Sequence, residues 1–266
     1  MTAASDPASA APAQADSPAI YASELQFAWP GKPPVIDIPR FTVARGERVF
    51  LRGPSGSGKS TLLGLLGGVL TPGRGVVQLL GADITSLAAG ARDRFRGEHL
   101  GFIFQMFNLI PYLGVLENVL LPAQFSPARA ARVVGGDLAA EGRRLLAALG
   151  LGSDYLSRPV TELSIGQQQR VAAARALLGK PGIIVADEPT SALDFDARED
   201  FLRLLMNECR TQGSTLLFVS HDTSLGKLFD RIVSLQDINR AALTDGAGVT
   251  HGGATHGGAA HADAAA

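Results

Sequence analysis

Nine residues, Gly53-Pro54-Ser55-Gly56-Ser57-Gly58-Lys59-Ser60-Thr61, have the types and spacing of a loop that holds phosphate. They fill every fixed position of G-x-x-x-x-G-K-[ST]. Glycines let a backbone wrap closely around a phosphate with its N–H groups turned inward. A helix that follows adds the positive end of its dipole. In such a loop Lys59 reaches the β- and γ-phosphates of a nucleoside triphosphate, and the Ser60 hydroxyl can ligate Mg²⁺. Far downstream, Asp187-Glu188 closes the apolar run Ile183-Ile184-Val185-Ala186. Asp187 suits the second acidic arm of a Mg²⁺ site, and Glu188 suits a general base that polarises an attacking water.

These groups need elements to place them. Arg48–Arg52 reads as a short strand entering the glycine loop, and Ser60–Leu70 as the helix leaving it. Further strands are expected at Val76–Leu80, Leu100–Phe104, Ile183–Ala186, Leu216–Ser220 and Ile232–Leu235. Ile183–Ala186 is apolar throughout, as in a strand covered on both faces. Helical patterns fall at Arg92–Glu98, Ala139–Leu149, Ser164–Leu178 and Ala197–Cys209. From about Met106 to Pro159, Pro111, Pro122 and Pro127 interrupt helical patterns, as in a helical insertion. Strands alternating with helices predict an α/β core with a mainly parallel sheet.

The chain's 266 residues, 46% of them hydrophobic, can build one sizeable core. A net charge of −1 offers no basic field, so nucleic acid is not expected as a partner. Cys209 is the only cysteine, which excludes an intrachain disulfide, fits a reducing compartment and reads as inert packing. No apolar run is long enough to span a bilayer. No basic segment followed by an apolar block marks a secretory signal. Residues 1–19 and 244–266 are poor in bulky apolar side chains and are expected to be disordered tails. His251, His256 and His261 recur in the second tail, with no Cys or carboxylate cluster to complete a metal site.

A third stretch decides among phosphate-loop proteins. Leu163-Ser164-Ile165-Gly166-Gln167-Gln168-Gln169-Arg170 lies between the loop and Asp187-Glu188. That order of motifs resembles the nucleotide-binding subunit of an ABC transporter, over about Ile20 to Leu235. The resemblance implies a P-loop NTPase (RecA-like) core, an antiparallel β region on its N-terminal side, and an inserted helical subdomain at about 106–163. One ATPase domain would then fill 20–243. It implies ATP and Mg²⁺ as ligands. Gln105 matches the glutamine that touches Mg²⁺ and the attacking water. Ser191-Ala192-Leu193-Asp194 matches the loop that crosses the dimer interface, with Asp194 reaching the other copy. His221 matches the switch histidine on the γ-phosphate. Trp29 sits where the family stacks an aromatic on adenine, with Phe27 the competing ring.

Leu163–Arg170 itself matches the family's signature segment. It implies that Ser164, Gly166 and Gln167 face the γ-phosphate held by a second copy, at a helix N-terminus. The usual form is Leu-Ser-Gly-Gly-Gln, and Ile165 departs from it at a position the phosphate contact does not need. The usual Asp-Gly turn is also missing at Gln236-Asp237-Ile238-Asn239-Arg240. Gly101–Pro111, Leu116-Glu117-Asn118-Val119, Leu121-Pro122 and Leu65-Leu66-Gly67-Gly68 resemble the branch of lipoprotein-releasing, macrolide-exporting and cell-division ATPases. That branch implies a homodimer, peripheral on the cytoplasmic face of the inner membrane. It would drive a membrane-spanning partner in export or extraction of a hydrophobic substrate. The alternative is an ATPase that regulates a cell-wall or division complex without moving cargo. An ABC-type ATPase acting on DNA or ribosomes would carry coiled-coil insertions or tandem cassettes, and neither is present.

Overall fold

A computed structural model describes residues 17–241. The histidine-containing tail and all but the last three residues of the N-terminal tail lie outside them. Those three are held in place. The Ser17 carbonyl accepts a hydrogen bond from Arg45 Nε (3.0 Å), and Ala19 is buried.

Among the described residues nine strands form two sheets. Strands β1 (Ile20–Ala28), β2 (Pro34–Val43), β4 (Arg74–Leu79) and β5 (Ala82–Asp83) make an antiparallel sheet in the order β2-β1-β4-β5. Strands β3 (Arg48–Arg52), β6 (Leu100–Ile103), β7 (Ile183–Asp187), β8 (Thr215–Val219) and β9 (Arg231–Ser234) make a parallel one in the order β6-β7-β8-β3-β9. The helices are α1 (Lys59–Leu66), α2 (Ala89–His99), α3 (Val115–Phe125), α4 (Pro127–Ala131), α5 (Leu138–Ala148), α6 (Ile165–Leu177), α7 (Phe195–Gln212) and α8 (Leu235–Ile238).

The parallel sheet lies between two hydrophobic clusters. Along β7, Ile184 and Ala186 face one and Ile183 and Val185 the other. Along β8, Leu216 and Phe218 oppose Leu217 and Val219 in the same way. Successive strand side chains point to opposite faces, so covering both faces requires an unbroken apolar run. The first cluster joins α6 and α7 to α3 and α5, the main helices of the insertion. The second joins α1 to the antiparallel sheet. Strand β6 lies so close to α6 that a Cβ at Gly101 would stand 2.3 Å from the Ala176 carbonyl oxygen.

Helix ends follow local chemistry. Helix α1 was expected to reach Leu70 but stops at Leu66. Gly67 caps it, Gly68 turns with φ of 66°, and the amides of Val69 and Leu70 fold back onto the Gly64 carbonyl. The Asp137 side chain accepts from the Ala140 amide to start α5, and Asp194 from the Ala197 amide to start α7. At residues 236–240 the missing Asp-Gly turn is replaced by α8. Asn239 then docks onto β2, its Oδ1 accepting from the Asp37 amide (2.8 Å) and its Nδ2 donating to the Val35 carbonyl (2.9 Å).

Candidate active site

Four of the five parallel strands deliver candidate site residues at their C-terminal ends. The loop 53–58 leaves β3, Gln105 follows β6, Asp187 and Glu188 close β7, and His221 follows β8. Ligands of open α/β sheets bind at this edge. A cavity of about 540 Å³ opens there, lined among others by Trp29, Lys59, Gln105, Asp187, Glu188 and His221. Ser55, Gly56, Gly58, Ser60 and Thr61 complete its loop side.

The loop owes its shape to glycine. Gly56 and Gly58 have φ of 79° and 96°, in the left-handed region. Gly58 is also the N-cap of α1, so the helix begins at Lys59, and its first residues Lys59, Ser60 and Thr61 line the cavity. Lys59 Nζ donates to the carbonyls of Gly53 (2.6 Å) and Pro54 (3.1 Å) and lies 3.7 Å from Glu188 Oε1. Pro54 and Ser57 line an adjoining cavity of about 460 Å³, together with Trp29, Val35 and Asn239.

Glu188 sits in a demanding conformation. Its φ is 46°, a region that a non-glycine residue rarely adopts. Its amide donates to the Val219 carbonyl at the end of β8 (2.9 Å), which fixes that geometry. Its carboxylate then meets Lys59 on one side and His221 Nδ1 on the other, the latter at 2.9 Å from Oε2. Such local strain clusters at functional positions. Beside it, burial pushes the Asp187 carboxyl above its usual range. The Glu188 charge adds to that shift, while Lys59 and a hydrogen bond from Ser60 oppose it.

Trp29 and Phe27 take separate places. Trp29 is about half exposed and lines both cavities, whereas Phe27 packs against the second cluster. The two rings meet edge-on at 5.0 Å. The segment after Gln105 is clamped from α6. Arg175 donates to the carbonyls of Phe107 (2.5 Å) and Asn108 (2.7 Å), which have φ of 58° and 50°.

The signature residues lie apart. Ser164, Gly166, Gln167 and Asp194 line neither cavity. Ser164 N-caps α6 in a capping box, its Oγ accepting from the Gln167 amide while its own amide donates to Gln167 Oε1. Ser164 and Ile165 are exposed. Val35 was not singled out from sequence, because nothing in the pattern of an edge strand marks it as a cavity residue.

Residues 36–191 match the profile of the ABC transporter family, ABC_tran. The chain belongs to that family. This ABC cassette is 46% identical over 77% of its length to the lipoprotein-releasing system ATP-binding protein LolD of Anaeromyxobacter dehalogenans, covering 83% of that protein. It is 43% identical over 74% of its length to the macrolide export ATP-binding/permease protein MacB 1 of Aeromonas hydrophila, covering 29% of that longer protein. The dimeric, post-hydrolysis structure of the ATP-binding cassette MJ0796 bound to ADP and Pi superposes with a TM-score of 0.73. It is 34% identical, and the match covers 82% of this chain and 94% of that one. The cassette thus binds and hydrolyses ATP within the branch the motifs suggested. No helix among its described residues is long and apolar enough to cross a membrane.

Proposed function

We propose that the chain is the peripheral ATPase of a membrane machine that extracts or exports a hydrophobic or lipidated substrate. It works as a homodimer on the cytoplasmic face of the inner membrane. One observation carries the reading. Lys59, Gln105, Asp187, Glu188 and His221 converge on one cavity, while Ser164 and Gly166 stay outside it. A phosphate in the loop is therefore within reach of the first group and needs a second copy to supply the rest.

ATP would lie with its phosphates on the loop amides and Lys59, its adenine against Trp29. Ser60, Asp187 and Gln105 offer a hydroxyl, a carboxylate and an amide oxygen, a set that suits Mg²⁺. The three side chains leave room in the coordination shell for phosphate oxygens and water. Bound Mg²⁺ would neutralise charge on the phosphates. Glu188 polarises the water that attacks the γ-phosphorus. Its carboxylate lies against Lys59 and His221. A γ-phosphate competes for both side chains and leaves Glu188 free to take the water's proton.

We expect Glu188→Gln to bind ATP, to accumulate as a closed dimer on size exclusion, and to release phosphate at least about a hundredfold more slowly. Turnover near that of wild type would remove Glu188 from this role. The cargo class is tested by co-purifying the membrane subunit and asking whether ATP releases a lipidated protein from its vesicles.

A further inference from the structure

Two elements that meet the second copy are joined inside one protomer to the histidine that meets its own nucleotide. The join is Arg198, on the second turn of α7. Its Nη2 donates to the Leu193 carbonyl (3.0 Å), and its Nη1 forms an ion pair with the Asp222 carboxylate. Leu193 belongs to the loop 191–194, and its Cδ2 stands 3.5 Å from where a Cβ on Gly166 would lie. Asp222 follows His221 directly. Its Oδ1 accepts from the Ser224 amide (3.1 Å) and hydroxyl (2.6 Å), which starts the 3₁₀ turn Thr223–Leu228. His221 in turn bonds Glu188. The connected path therefore runs from Gly166 through Leu193, Arg198 and Asp222 to His221 and Glu188.

Each link has a reason to be stiff. The guanidinium is planar, and both of its contacts are fixed by one rigid group. Asp194 caps α7 through the Ala197 amide, and the Arg198 amide donates to the Asp194 carbonyl (3.0 Å), so the loop and the arginine move with the helix. The pair is about three-quarters covered, where salt screens it less than at an open surface. Among the described residues, Arg198 is a side chain that bonds both the loop 191–194 and the loop 221–222, so the two move together through it.

We infer that Arg198 is a positioning residue that couples docking of the second copy onto Gly166 and the loop 191–194 to the placement of His221. The inference rests on the roles proposed above for His221 and the signature segment. When the partner's nucleotide pushes on loop 191–194, the guanidinium passes the displacement to Asp222 and sets the imidazole against the γ-phosphate. Arg198 touches no reacting atom. Its loss therefore lowers the rate at which a formed dimer fires rather than the affinity for ATP.

The test is a kinetic cycle on the full-length protein with Mg-ATP. Arg198→Ala should lower kcat about threefold to tenfold, with KM for ATP changed by less than about twofold, and should reduce cooperativity in ATP. Arg198→Lys, which can serve one contact at a time, should fall between. Asp222→Asn keeps the Oδ1 acceptor for Ser224 but loses the charge. It should slow turnover similarly, and the double variant should be no slower than Arg198→Ala alone. His221→Ala is the control on the underlying reading. If His221→Ala abolishes turnover while Arg198→Ala and Asp222→Asn fire like wild type, or if their effects multiply, the coupling is wrong and the site stands. If His221→Ala turns over normally, the site reading fails first. If Arg198→Ala does not fold, Arg198→Lys and Asp222→Asn decide the question alone.

Discussion

Lys59 closes the phosphate loop through hydrogen bonds that a phosphate can replace. Its ammonium donates to the Gly53 and Pro54 carbonyls, which places a cation beside the cavity. Phosphate oxygens are stronger acceptors than carbonyls, so ATP draws it away without leaving a buried charge unpaired. We expect Lys59→Ala to weaken ATP binding at least about tenfold while shifting the thermal midpoint little, because the bonds it loses lie in a partly exposed loop. Isothermal titration beside a melting curve measures both. Unchanged affinity would contradict the assignment of the loop. Cys209 behaves oppositely. Burial pushes its thiol up to about 12, so it stays a protonated, inert packing group.

At the scale of elements, the short helix α4 anchors the insertion to the core. Arg129 is buried yet charged, and it donates to the carbonyls of Leu100 (2.5 Å), Ala176 (3.4 Å) and Leu178 (3.1 Å). It thus links the start of β6 to the end of α6, the helix that carries Ser164 at its other end. Burial lowers its pKa to about 10, helped by nearby Arg132, and the carbonyl bonds offset that cost. We expect Arg129→Met to lower the unfolding free energy by about 2–3 kcal/mol, read as a fall in the urea midpoint. An unchanged midpoint would mean that removing the buried charge cancels the lost bonds.

Much of this level could be read from sequence. Unbroken apolar runs announced β7 and β8, because both faces of the sheet are covered. The glycine loop announced the strand before it and the helix after it. What stayed hidden depends on contacts between distant segments. The early end of α1 follows from Gly64 carbonyl bonds that Gly67 and Gly68 permit. The Arg129 and Arg198 bridges each join segments more than 20 residues apart, and no local pattern distinguishes them from solvated arginines. The candidate site was legible because its chemistry sits in contiguous motifs. Its geometry was not, since the left-handed φ at Glu188 is set by a bond to Val219 from another strand.

At the scale of the whole molecule, one copy holds the candidate phosphate site in one cavity and carries the signature segment outside it. Ser164 already uses its hydroxyl to cap α6, so the end of the helix is preformed before any partner arrives. Gly166 leaves the space in front of that end open, with only Leu193 near the place a Cβ would occupy. On the proposed two-copy site, a carboxylate introduced there would face phosphate of like charge on the second copy, yet it lies outside the cavity lined by Lys59 and Glu188. We expect Gly166→Asp to leave ATP affinity of the monomer within about twofold of wild type and to cut turnover about a hundredfold by preventing the closed dimer. Combining it with Glu188→Gln sharpens the measurement, because hydrolysis no longer removes the dimer being counted. The double variant should then elute as a monomer in ATP. Loss of monomer binding in Gly166→Asp would instead place the signature segment on its own nucleotide and overturn the two-copy site.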